Sequence, residues 1–143
     1  MSLHPDYPIV TGRYRMTDEW TVVLPESFNR RIEDGSLVLW RPALTFWIAI
    51  WGNDSDDSTD KRLTSILEAA SDLRSDQQIE RTVDLARLTY ELPEEDASRP
   101  EAIYRSISGY VISAAGHVQI SAYFDTQNAR TLGYKVIHSV QNA

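Results

Sequence analysis

The chain reads as an α+β domain: a mostly antiparallel sheet of hairpins with two helices packed on one of its faces. Residues 35–52 and 102–124 each hold a pair of β-favouring runs around a short turn, and side chains alternate along both. Two other segments, residues 60–74 and 126–140, repeat apolar residues at helical spacing. The order strands, helix, strands, helix, with hairpins dominating, fits antiparallel pairing.

Taken in order, residues 1–11 carry two prolines and read as a loose N-terminal arm, leaving residues 12–143 as a single domain. Residues 13–16 and 20–24 read as strands around a turn at Thr17-Asp18-Glu19, with Leu24-Pro25-Glu26 ending the second. Residues 28–32 fit no single pattern. Glu33-Asp34-Gly35 is a turn signal leading into a strand at 37–40. Arg41-Pro42-Ala43 then interrupts, because proline cannot donate to a sheet ladder. From Leu44 the chain separates two faces. Leu44, Phe46, Ile48 and Ile50 belong on a core, whereas Thr45, Trp47, Ala49 and Trp51 form the opposite, aromatic side.

An acidic loop, residues 53–60, leads into the first helix, expected over residues 60–74 with the stripe Leu63, Ile66, Leu67, Ala70 and Leu73. Ser58 or Thr59 can cap it. Residues 79–83 and 86–92 read as two more strands, followed by a polar loop containing Glu94, Glu95 and Asp96. The second long hairpin turns at Ala114-Ala115-Gly116. Ile103, Ile107 and Val111 share one parity in it, as do Val118, Ile120, Ala122 and Phe124. The final helix starts behind Asp125 or Thr126 and carries Ala129, Leu132, Val136, Ile137 and Val140, with Gly133 as a weak point.

Bulk composition narrows the functional classes. With 42% hydrophobic residues over 143 positions, the chain can bury a core. The net charge of −7 argues against nonspecific nucleic-acid binding, which needs a basic footprint. Only two lysines are present, Lys61 and Lys135. Without cysteine there are no disulfides, thiol nucleophiles or thiolate metal sites. No signal peptide is visible, and no apolar run approaches the roughly 20 residues needed to span a bilayer, so neither membrane insertion nor export is expected.

Motifs for chemistry are few. In the acidic loop, a calcium-binding pattern starting at Asp54 fails at Thr59 and Ser65, where glycine and glutamate are needed. His4, His117 and His138 lack metal-ligand spacing, so no metal and no cofactor are expected. His117 could be paired with Ser106, Ser108 or Ser121, but no nucleophile elbow accompanies it. Arg30-Arg31 reads as a surface pair.

What does stand out is the face opposite the aliphatic one. It gathers Trp47, Trp51, Tyr104, Tyr110, His117, Gln119 and Tyr123, with serines between them. The ordinary reading is a solvated or self-covered sheet face. The functional reading is a contact surface, since Tyr and Trp combine large area with a polar handle.

The element order resembles the PsbP-like sandwich superfamily, which includes photosystem extrinsic subunits, a Ran-binding nuclear import factor, bacterial lipoproteins and secretion-effector chaperones. The local likeness is Trp20-Thr21-Val22-Val23-Leu24-Pro25-Glu26-Ser27-Phe28, similar to the strand ending in Leu-Pro that begins such domains. The resemblance implies protein binding or assistance to an assembly, and transfers no catalytic residue. The expectation is therefore a non-enzymatic, cytoplasmic, bacterial binding or chaperone-like protein, or an immunity protein for a basic toxin. Its partner would be another protein or a second copy of itself. The alternatives are a small-ligand carrier with an apolar pocket between helix and sheet, or a hydrolase using His117.

Overall fold

The computed structural model describes residues 3–54, 56–94 and 104–143. Its strands are β1 (Ile9–Arg15), β2 (Trp20–Glu33), β3 (Ser36–Arg41), β4 (Leu44–Gly52), β5 (Ser75–Arg81), β6 (Ala86–Glu94), β7 (Tyr104–Ser113), β8 (Gly116–Phe124) and β9 (Gln141–Asn142). Helix α1 (Thr59–Ala69) lies between β4 and β5, and α2 (Gln127–His138) between β8 and β9. The strands form one sheet in the order β1-β2-β3-β4-β8-β7-β6-β5, with β9 against the start of β2. Every pairing is antiparallel. The expected α+β class with a mostly antiparallel sheet is therefore the observed one.

Short turns explain the register. Asp34-Gly35 closes β2 on β3 with both residues at positive φ, which suits the twist of a two-residue hairpin. Pro42-Ala43 closes β3 on β4, with Ala43 at φ +68. The second long hairpin turns through Ala114-Ala115, between the paired Ser113 and Gly116.

Pro25 does not end its strand. Val10 pairs with Phe28 and Gly12 with Leu24, so Thr11 alone faces Pro25, Glu26 and Ser27. The proline sits in this bulge, where its missing N–H interrupts no ladder. Leu24 and Phe28 consequently keep to the same side, and residues 28–32 form the second half of one long strand. Residues 9–11, expected in a loose arm, already belong to β1. Upstream, the buried Asn29 ties the chain down: its Nδ2 donates to the carbonyls of His4 and Tyr7, and its Oδ1 accepts from the His4 amide.

The first face carries the main core. Trp20, Val22, Leu24 and Phe28 join Leu44, Phe46, Ile48, Ile107, Val111, Val118, Ile120 and Ala122 beneath α2. Ala129, Val136, Ile137 and Val140 come down from the α2 side. Gly133 is no weakness there: a Cβ would sit 3.2 Å from Ile107 Cδ1, so its absence lets helix and sheet approach.

Helix α1 does not join α2, contrary to the expectation that both helices share a face. It packs on the reverse side, where Leu63 is buried with Ala86, Leu88, Tyr90 and Ile112, and Ile66, Leu67 and Tyr110 lie alongside. The reason is visible in β6: its even positions are as apolar as a core face, so the reverse side of β6 and β7 needs its own cover. Ser58 caps α1 by accepting from the Lys61 amide. The helix stops at Ala69, and Leu73, assigned to its stripe, is 68% exposed. Thr126 caps α2 in the same way through the Ala129 amide. Strand β5 covers 75–81, and Val83 lies in the following turn rather than in a strand. Glu95, Asp96 and Ile103 lie outside the described residues.

Candidate functional site

The strand register assembles the reverse face row by row. Across it run Trp40–Thr45–Tyr123–Ser106, then Val38–Trp47–Ser121–Ser108–Tyr90, then Ala49–Gln119–Tyr110–Leu88, and last Trp51–His117–Ile112–Ala86. Tyr104 lies on this face by register, though its side chain is outside the described residues. The expected aromatic face thus exists, but α1 divides it.

Tyr110 falls on the covered side. Its ring stacks near Tyr90 with centroids 6.4 Å apart and packs within the α1 cluster. Burial, and then the neighbouring Tyr90, push its hydroxyl up to about 12. Tyr110 is therefore a packing residue, and Tyr110→Ser would disturb the core beneath α1 instead of reporting on association.

The part of this face that α1 leaves uncovered, among the described residues, has two fixed ends. At one, the Arg31 guanidinium lies 4.7 Å from the Trp40 ring centroid and 5.6 Å from that of Trp47. Tyr7 of the docked N-terminal segment meets Trp40 edge-on at 5.0 Å. At the other, Trp51 stacks on His117 with centroids 6.2 Å apart and planes 24° from parallel. Arg62 of α1 holds that imidazole: its Nη2 donates to His117 Nδ1 at 2.7 Å, and its Nη1 donates to the Ser113 carbonyl at 2.8 Å. Between the two ends lie the small or polar side chains of Thr45, Ala49, Gln119 and Ser121. Trp51 is 53% exposed and Tyr123 38% exposed, while Trp47 and Gln119 are half-buried.

His117 is poised as a neutral group. Burial, and then the Arg62 charge, hold its pKa below the ordinary 6.5. Below about pH 6.5 the unfolded chain takes up a proton that the native site disfavours. This contribution to stability is intact above that pH and is lost as pH falls toward the native value. Relative to His117→Asn, the parent should therefore lose stability between pH 7.5 and 5, read as urea midpoints. A difference that stays flat with pH would contradict this.

The hydrolase arrangement does not assemble. Ser121 lies four residues from His117 along β8, roughly 13 Å at strand spacing, and Ser108 pairs with Ser121 in the same distant row. The hydrogen bond from Arg62 also occupies Nδ1. In the acidic loop, Asp57 pairs with Lys61 at 3.0 Å, and Asp60 with Arg81 at 3.5 Å. Among the described residues no three His, Asp or Glu side chains gather as a metal site. No described helix is long and apolar enough to cross a membrane.

Sequence reading missed two groups. Arg62, which the helical stripe does not include, is buried and organises His117. Glu91 is buried in β6 facing α2, where it accepts from the Tyr134 hydroxyl at 2.7 Å and from Arg130 Nε at 3.2 Å. Burial, and then the bond to Glu91, raise the Tyr134 pKa. Signals for this cluster were present: a lone carboxylate inside an apolar strand, and Arg130, Tyr134 and His138 spaced four apart on one helix face. It pins α2 to β6. His138 ends that helix, with Nδ1 2.8 Å from the Tyr134 carbonyl and Nε2 3.4 Å from Glu80.

No family model matches the chain, and no curated protein matches it. Among solved structures it is similar to a protein from Bacteroides thetaiotaomicron VPI-5482, known from a crystal structure at 1.50 Å resolution. The TM-score is 0.60 at 12% sequence identity. The match covers 93% of this chain and 48% of the other, so this chain spans about half the length of that neighbour. At this identity the likeness is one of fold.

Proposed function

We propose that this is a non-enzymatic binding protein, chaperone-like in role, whose protein partner docks on the part of the reverse sheet face that α1 leaves uncovered. The carrying observation is Trp51: more than half exposed, yet held by His117 and, through it, by Arg62. A fixed aromatic loses little freedom on binding, which is the condition for an interface anchor. Trp47 and Tyr123 extend the same surface, with Gln119 between as a hydrogen-bonding group.

The net charge of −7 suits a basic partner and would steer its approach. A basic toxin neutralised in a bacterial cytoplasm, or a secretion effector held there before export, has the right chemistry. The likeness in element order to PsbP-like sandwiches supports the same class of role. A second copy of this chain is the other occupant such a face admits.

The test compares Trp51→Ser with Ile32→Ser, a slightly more exposed apolar position on the other face. Affinity capture followed by sedimentation should show one partner, or a dimer, retained by the parent and by Ile32→Ser. Trp51→Ser should weaken that association at least tenfold with circular dichroism unchanged. Equal retention by both variants would refute the reading.

A further inference from the structure

The α2 side carries a cavity that shares no residue with the aromatic face. The β2 bulge and the β3–β4 turn stand away from the helix, and between them lies a cavity of about 540 Å³. That volume falls within the ordinary range for small-molecule pockets, about 300–1,000 Å³. Pro42 and Ala43 line it from the β3–β4 turn and Leu132 from the helix, with the buried Leu44 and Ala129 at its floor. The body of any ligand there would meet apolar surface.

Charge at the rim selects the head group. Arg41 is already committed: its Nη1 lies 3.5 Å from Glu26 Oε2, donates to the Ser27 carbonyl at 3.1 Å, and its guanidinium rests on the Phe28 ring. Together Arg41 and Glu26 contribute no net charge. Lys135, one α2 turn beyond Leu132, lines the same cavity and has no carboxylate partner among the described residues. The chain's other lysine, Lys61, is paired with Asp57. Lys135 is thus the cation on this cavity's lining that no carboxylate neutralises among the described residues.

We infer that this cavity binds a small amphipathic carboxylate, its apolar body against Pro42, Ala43 and Leu132 and its carboxylate at Lys135. The ammonium gives a charge-assisted contact to the head, while burial of the body supplies the remaining affinity. A medium-chain fatty acid has this chemistry.

The experiment is an amide chemical-shift titration of the ¹⁵N-labelled full chain with octanoate, and with octanol as the uncharged control. Saturable shifts are expected at residues 42–44 and 128–135. Lys135→Met should weaken octanoate about tenfold and leave octanol unchanged. Thr131→Trp, at an exposed lining position of α2, should fill the cavity and abolish both. If that variant fails to fold by circular dichroism, Asn128→Trp takes its place. No saturable shift, shifts centred on Trp51, or undiminished octanoate binding by Lys135→Met would each overturn the inference.

Discussion

Replacing Phe46 by alanine is expected to cost about 3–5 kcal/mol of folding stability, read from the urea midpoint with the slope unchanged. Phe46 is completely buried in the middle of β4 and packs on Phe28 with ring centroids 5.7 Å apart. Strand β3 pairs on one side of it and β8 on the other, with α2 above the same face. The hole left by truncation would be bounded by sheet backbone and by a helix pinned through Glu91, so little collapse can offset it. A loss under about 1 kcal/mol would mean that the first face is not the core described here.

Gly116→Ala should cost a similar amount, about 3–5 kcal/mol, from strained backbone and overpacking together. Gly116 opens β8 at φ +146, and a Cβ there would lie 1.9 Å from the Trp51 carbonyl oxygen. The neighbour is backbone, so no side-chain rotation relieves the clash. The residue that must move is Trp51, whose stacking on His117 defines the exposed end of the site. Loss of stability should therefore come with a changed tryptophan emission in whatever native state survives. A fully stable Gly116→Ala variant would show that the β4–β8 register at Gly52↔Gly116 is misplaced.

The sequence made the sheet and its faces legible because alternation in residues 44–52 and 116–124 is nearly unbroken, and one face of each is aliphatic. Pro25 misled, since a proline usually marks the end of a strand, and a bulge three residues wide leaves no mark in local composition. The side taken by α1 was not legible from its own stripe, because an apolar helix face fits either side of a sheet. The apolar even positions of β6, Ala86, Leu88 and Leu92 with Tyr90, were the relevant signal. They call for cover on the side opposite α2.

Of the candidate site, the aromatic residues were readable and their grouping was not. Tyr110 and Trp51 share a face by parity alone, yet one lies under α1 and the other in solvent. The division depends on where a helix lands, a tertiary fact. Arg62 was invisible for the same reason: a charged residue on a helix is normally a solvated one, and its burial follows from the docking of α1 over the end of β7.

The central claim is that the uncovered reverse face, and not the α2 side, is where a protein partner sits. Site-specific photo-crosslinking tests it most directly, with a photoreactive residue placed at Ala49, in the floor between Trp47 and Trp51, or at Ile32 on the other face. The account predicts a defined adduct, to a partner or to a second copy, from position 49 and none from position 32. Adducts from position 32 alone, or none from position 49 while a partner is bound, would contradict it.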